Sequence, residues 1–148
     1  MTRSVSVTSE LQLRLVLPGA APLPVRAGLR YDAADPYAVQ VCFHTGDHSH
    51  APDDDVVEWT FARSLLTDGV VGPAGEGDVQ VWPSRSGGQP VVCLALSSPS
   101  GRALFEVPLP ELAEFLGQTY QAVPTGDESD HVDVDSELAL LLWAEPGA

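Results

Sequence analysis

At 148 residues with 44% hydrophobic side chains, the chain is long enough for one domain with a proper core, and no apolar run approaches the roughly 18–20 residues a membrane helix needs. Its formal net charge is -14, from 21 acidic side chains against 7 basic ones, all of them Arg. That balance argues against nucleic acid and anionic membrane surfaces, because each phosphate contact needs a Lys or Arg to release counterions.

The first segment places Val5, Val7, Leu11, Leu13, Leu15 and Leu17 at odd positions and polar residues between them. This period of two predicts a half-buried strand over 4–17, ended by Pro18-Gly19. Met1-Thr2-Arg3 leads into that alternation rather than into an apolar signal core, so no secretory leader is expected and the cytoplasm is the expected location. Residues 24–31 predict a second strand, Tyr37 to Phe43 a third and Val57 to Phe61 a fourth, with Asp47–Asp55 an exposed acidic loop between the last two. A short helix is expected from Thr60 or Phe61 through Leu66, stopped by Asp68-Gly69. Gly72 to Asp78 reads as a turn. Residues 79–84 read as a strand ending at Pro83, followed by strands through Val91–Leu96 and Ala103–Val107. Leu109, Leu112, Ala113, Leu116 and Tyr120 recur at helical spacing with Pro110 in the first turn. A last helix is expected from Asp135 through Leu138, Leu141 and Leu142. The expected fold is α+β: a single domain, 1–148, with an antiparallel sheet of about seven strands and three helices.

Chemistry-bearing residues are few. His44, Asp47, His48 and His50 cluster near Asp53, Asp54 and Asp55, but in a Gly- and Asp-rich stretch that offers little support to a metal, so a solvated loop is expected. Gly72, Gly75 and Gly77 lack the Lys-Ser/Thr of a phosphate loop and precede a strand, so they read as a turn. Ser86 and Ser98 lie near glycines without forming a nucleophile elbow. Cys42 and Cys93 fit no metal spacing and read as buried, reduced thiols. No catalytic residue, metal or cofactor is expected. Trp59 reads as core, while Trp82 and Trp143 are candidate interface anchors. Residues 127–137 hold six acids and no base, which suits a solvated face or a surface steering a basic partner.

Several segments then line up in one order. Ala27-Gly28-Leu29-Arg30-Tyr31-Asp32, Asp35-Pro36-Tyr37-Ala38-Val39 and Phe43-His44-Thr45-Gly46 are followed by Val57-Glu58-Trp59 and Phe61-Ala62-Arg63 with Leu65-Leu66. Gly77-Asp78-Val79, Val81-Trp82-Pro83-Ser84-Arg85-Ser86, Leu96-Ser97-Ser98-Pro99, Phe115-Leu116 and Val123-Pro124 with Gly126 continue the series. Over roughly residues 5–142 the chain resembles the SsgA-like sporulation and cell-division proteins of mycelial actinobacteria, most of all their SsgB branch. The resemblance implies a non-enzymatic regulator of sporulation-specific septation. Such a protein recruits or positions the tubulin-like division protein FtsZ at septum sites and acts with other members of its family. It also implies a Whirly-like fold assembled as a trimer. The alternatives are a paralogue acting in septum or spore-wall maturation without FtsZ contact, and a Whirly-like nucleic-acid binder, which the charge disfavours. The expected partner-binding residues are Trp82, Val123, Pro124, Gly126, Asp127, Glu128 and Asp130, within an acidic segment Asp127–Glu137. The loop Asp47–Asp55 is longer than in SsgB-like members, and Gly117-Gln118 lacks a basic pair found in close relatives.

Overall fold

The computed structural model describes residues 5–44 and 56–130. Chain order sets the architecture: β1 (Ser6–Leu15), β2 (Leu23–Asp32), β3 (Ala38–His44), β4 (Val56–Ala62) and α1 (Arg63–Val71), then β5 (Ala74–Glu76), β6 (Val79–Ser86), β7 (Gln89–Ser98), β8 (Gly101–Pro108) and α2 (Leu109–Ala122). The same unit, four strands and a helix, thus occurs twice. All eight strands form one sheet in the order β4-β3-β2-β1-β8-β7-β6-β5, with every described pair antiparallel. Within each half, strands pair with sequence neighbours. The halves join where Arg14 and Leu15 of β1 face Glu106 and Phe105 of β8, extended by the bond from the Val16 N–H to the Leu104 carbonyl.

The strand alternation sorts the two faces. Leu11, Leu13, Val25, Ala27, Leu29, Tyr31, Val39, Val41 and Phe43 are buried toward the helices. From α1 come Leu65 and Leu66, and from α2 Leu112, Phe115 and Leu116. Phe43 and Phe105 stack with ring centroids 4.7 Å apart, although two strands lie between theirs. Flat strands three places apart would be separated by roughly 14 Å. The sheet is therefore curled around its core.

Several expectations need correction. The sheet has eight strands, not seven, because Ala74–Glu76 pairs with Val79–Val81 inside the stretch read as a turn. Three residues with a central Gly carry no alternation to read. The first helix begins two or three residues later than expected and runs through Gly69 to Val71. Gly69 does not end it; it lets the helix backbone approach Val81, whose Cβ would lie 2.7 Å from a Cβ at position 69. Pro83 does not end β6, which continues to Ser86 against β7. It stands beyond the last β5 pairing, where no neighbour asks for its missing N–H. Two α-helices, not three, and one 3₁₀ turn (Glu128–Asp130) occur among the described residues. The helix expected from Asp135, the loop Asp47–Asp55, and His48, His50 and Trp143 lie outside them.

Both cysteines are free, but only Cys93 is buried. Burial pushes its thiol pKa up, with a smaller push from Glu106 that Ser84 partly opposes. Cys42 is half-buried, since Val41 and Phe43 on either side take the core face. Trp59 is also only half-buried. No cluster of three or more His, Cys, Asp or Glu suited to a metal exists among the described residues. No helix there is long and apolar enough to cross a membrane.

Candidate partner-binding surface

The end of α2 and the turn after it are organised by one buried cation. Arg63 is the first residue of α1 and only 2% exposed. Its Nη1 donates to the Thr119 carbonyl at 3.1 Å and the Val123 carbonyl at 2.9 Å. Its Nη2 donates to Glu128 Oε2 at 2.9 Å. The guanidinium carbon lies 3.9 Å from the ring centroid of Tyr120 and 5.0 Å from that of Tyr31. The last carbonyls of a helix lack intrahelical donors and carry its negative end, so a fork of N–H groups there satisfies hydrogen bonding and charge together. Tyr31 donates its own hydroxyl to the Pro36 carbonyl at 3.0 Å. Burial pushes that phenol up to about 12, against a lowering by Arg63. Thr67 Oγ1 donates to the Arg63 carbonyl at 3.0 Å and lies 2.7 Å from the Tyr120 hydroxyl.

Beyond Val123 the chain turns outward. The Asp127 N–H donates to the Pro124 carbonyl at 3.0 Å, and the Gly126 N–H to Glu128 Oε1 at 2.8 Å. Gly126 has φ +95°, which other residues resist, as its place in a tight turn suggests. Glu128 therefore bridges the turn and the buried Arg. Its own N–H, then the Gly126 N–H, and then Arg63 hold its carboxyl below the usual range.

The expected contact residues do not form one patch. Pro124, Gly126 and Asp127 are exposed and adjacent, with the backbone of Asp130 just beyond in the 3₁₀ turn. Val123 is 0% exposed and belongs to the core, so only its backbone borders the surface. Glu128 is half-buried, with its charge already engaged by Arg63. Trp82, half-buried, lies on the opposite face of the sheet, since Val79 and Val81 take the helix side. The organising residue, Arg63, was not singled out for this role. Its signal was faint: a lone cation on a helix whose other inward positions are apolar, with Tyr31 and Tyr120 remote in sequence.

The linkage has a sign. A carboxyl whose folded pKa is depressed contributes stability that is fully present above its ordinary value of 4.5 and lost as pH falls through the lowered folded value. Glu128→Gln should therefore unfold at lower urea than the parent near neutral pH, with the gap closing as the pH drops below 4.5 and through the lowered folded value. An equal gap across that range would contradict the assignment.

Known proteins resemble the chain along most of its length. A family model described as Streptomyces sporulation and cell division protein SsgA matches residues 25–128. A sporulation-specific cell division protein SsgB from Frankia casuarinae is 60% identical over 144 residues, covering 97% of this chain and 96% of the relative. Its counterpart from Streptomyces coelicolor is 55% identical, covering 94% and 97%. A solved SsgA-like sporulation-specific cell division protein from Thermobifida fusca superposes with a TM-score of 0.81 at 47% identity, covering 96% of this chain and 100% of the other.

Proposed function

This chain belongs to the SsgA-like sporulation and cell division family, in its SsgB branch, and we propose that it works by binding alone, positioning the tubulin-like protein FtsZ at sporulation septa. The observation that carries this reading is the Arg63-braced turn. Pro124, Gly126 and Asp127 project from a backbone already fixed by Arg63 and Glu128, so a partner loses little ordering entropy in docking there. The residues after it, 127–137, hold acids and no base, which steers a cationic patch toward the turn. The Whirly-like architecture, the trimer and the septal location implied by the resemblance belong to the same proposal. The trimer finds support in β4, seven residues long and an edge of the sheet among the described residues, because an open edge favours pairing with another chain.

Two substitutions test the turn. Gly126→Asp should remove septal localisation and FtsZ capture, with a stability loss of about 1 kcal/mol because φ is positive. Asp127→Arg stands at an exposed position with ordinary backbone, so its stability should change by no more than about 0.5 kcal/mol. It should still weaken capture. Undiminished FtsZ binding by folded Asp127→Arg, with normal septa, would refute docking at the turn.

A further inference from the structure

The curl of the sheet leaves a groove on the core side, away from the Arg63 brace, that no described residue covers. Phe43, Val57, Trp59, Leu96, Ala103 and Phe105 line it, around a volume of about 300 Å³. Val57 is 45% exposed, a large apolar side chain facing open space. The nearby polar groups do not converge on the groove as they would on a small-molecule ligand: Ser98 and Ser100 are within 2.9 Å of each other, and Ser98 also donates to the Gly101 carbonyl. Among the described residues the rim carries one cation, Arg102.

Beyond the described residues the sequence holds a run that needs such a cover. Leu138, Leu140, Leu141, Leu142 and Trp143 fall within six positions. An apolar cluster of that size left in water invites association. The reach is sufficient. Glu128 is fixed to Arg63, the residue after β4, and Trp59 stands four residues back, roughly 13 Å along the strand. Leu138 lies ten steps along the chain from Glu128, a stretch that spans up to about 33 Å when extended. Asp133, Asp135 and Glu137 in that connector complement Arg102. The segment 45–55, which adjoins the groove in sequence, offers only Ala51 and Pro52 as apolar side chains. We propose that the groove between the β3–β4 end and the β7–β8 hairpin seats this chain's own segment 138–143, as an intramolecular cover. Tethering gives that segment an effective concentration of about millimolar, an advantage that a free peptide lacks.

Fluorine NMR of the full chain carrying fluorotryptophan tests this with three resonances, from Trp59, Trp82 and Trp143. Trp82, on the far face, is the internal control. Leu141→Asp/Leu142→Asp should shift the Trp59 signal and leave Trp82 in place. Val57→Asp, at an exposed edge-strand position, should reciprocally shift Trp143 toward its position in an unfolded chain, again without moving Trp82. Both shifts should be independent of protein concentration. An unmoved Trp59 in the first variant, or an unmoved Trp143 in the second, would overturn the proposal. Shifts that fade on dilution would overturn it too, by assigning the groove to a second copy. Should the double variant unfold and move all three signals, Val57→Asp alone decides.

Discussion

Replacing Arg63 with Ala is expected to lower the unfolding free energy by about 3–5 kcal/mol, enough to reduce Tm by roughly 10–20 °C. The loss has three sources. The Val123 carbonyl loses its Arg63 donor and the Thr119 carbonyl keeps only the Val123 N–H, Glu128 loses its counter-charge, and the faces of Tyr31 and Tyr120 lose the flat group stacked on them. Lys at this position should recover only part of the loss, since an ammonium cannot reproduce the planar fork or the stacking. Urea unfolding of the two variants beside the parent measures both steps. A loss below about 1 kcal/mol for the Ala variant would show that the buried cation does not brace the turn.

Gly69→Ala is the second large effect, and it runs against helix propensity. In an exposed helix the change would stabilise by about 1 kcal/mol. Here a new Cβ would collide with the Val81 side chain, and Val81 is 0% exposed, with no room to yield. Overpacking of this kind costs about 1–3 kcal/mol and exceeds the propensity gain. Gly117→Ala on α2 is the control, because a Cβ there meets nothing within 4 Å and the residue is exposed. Its expected effect is a small gain. If both substitutions stabilise the protein, α1 does not lie against β6 as described.

These two residues mark what was and was not legible in the sequence. Strands β1 to β4 were readable within a residue or two because each has one wet face and one dry one, and the dry face forces alternation. Reading Cys42 as a buried thiol set that alternation aside, and reading Trp59 as core followed it too far; both are only half-buried. Cys42 falls on the wet side of its own alternation, and Trp59 falls on the dry side at a place the helices do not reach. Gly69 looked like a helix stop because glycine commonly is one. Its true cause, contact with a strand twelve residues on, leaves no local trace. The candidate turn was legible through Val123-Pro124 and Gly126, while its brace was not. Arg63 meets Val123 and Glu128 across 60 and 65 residues, and nothing in residue spacing reports such a meeting.

The join between the two halves of the sheet bears on how the chain folds. Every other described strand pairing links neighbours in sequence, so each four-stranded half can form from local contacts. Pairing β1 with β8 instead requires closure of the long intervening loop, an entropic cost that short hairpins do not carry. Two register pairs and one further bond then secure it. A nascent chain that completes its halves but has not yet closed the join holds two open edges, β1 and β8, each complementary to the other. In a crowded population, β1 of one chain and β8 of another satisfy the same pairing, and exchange of halves between copies is the misassembly to which this topology is most exposed.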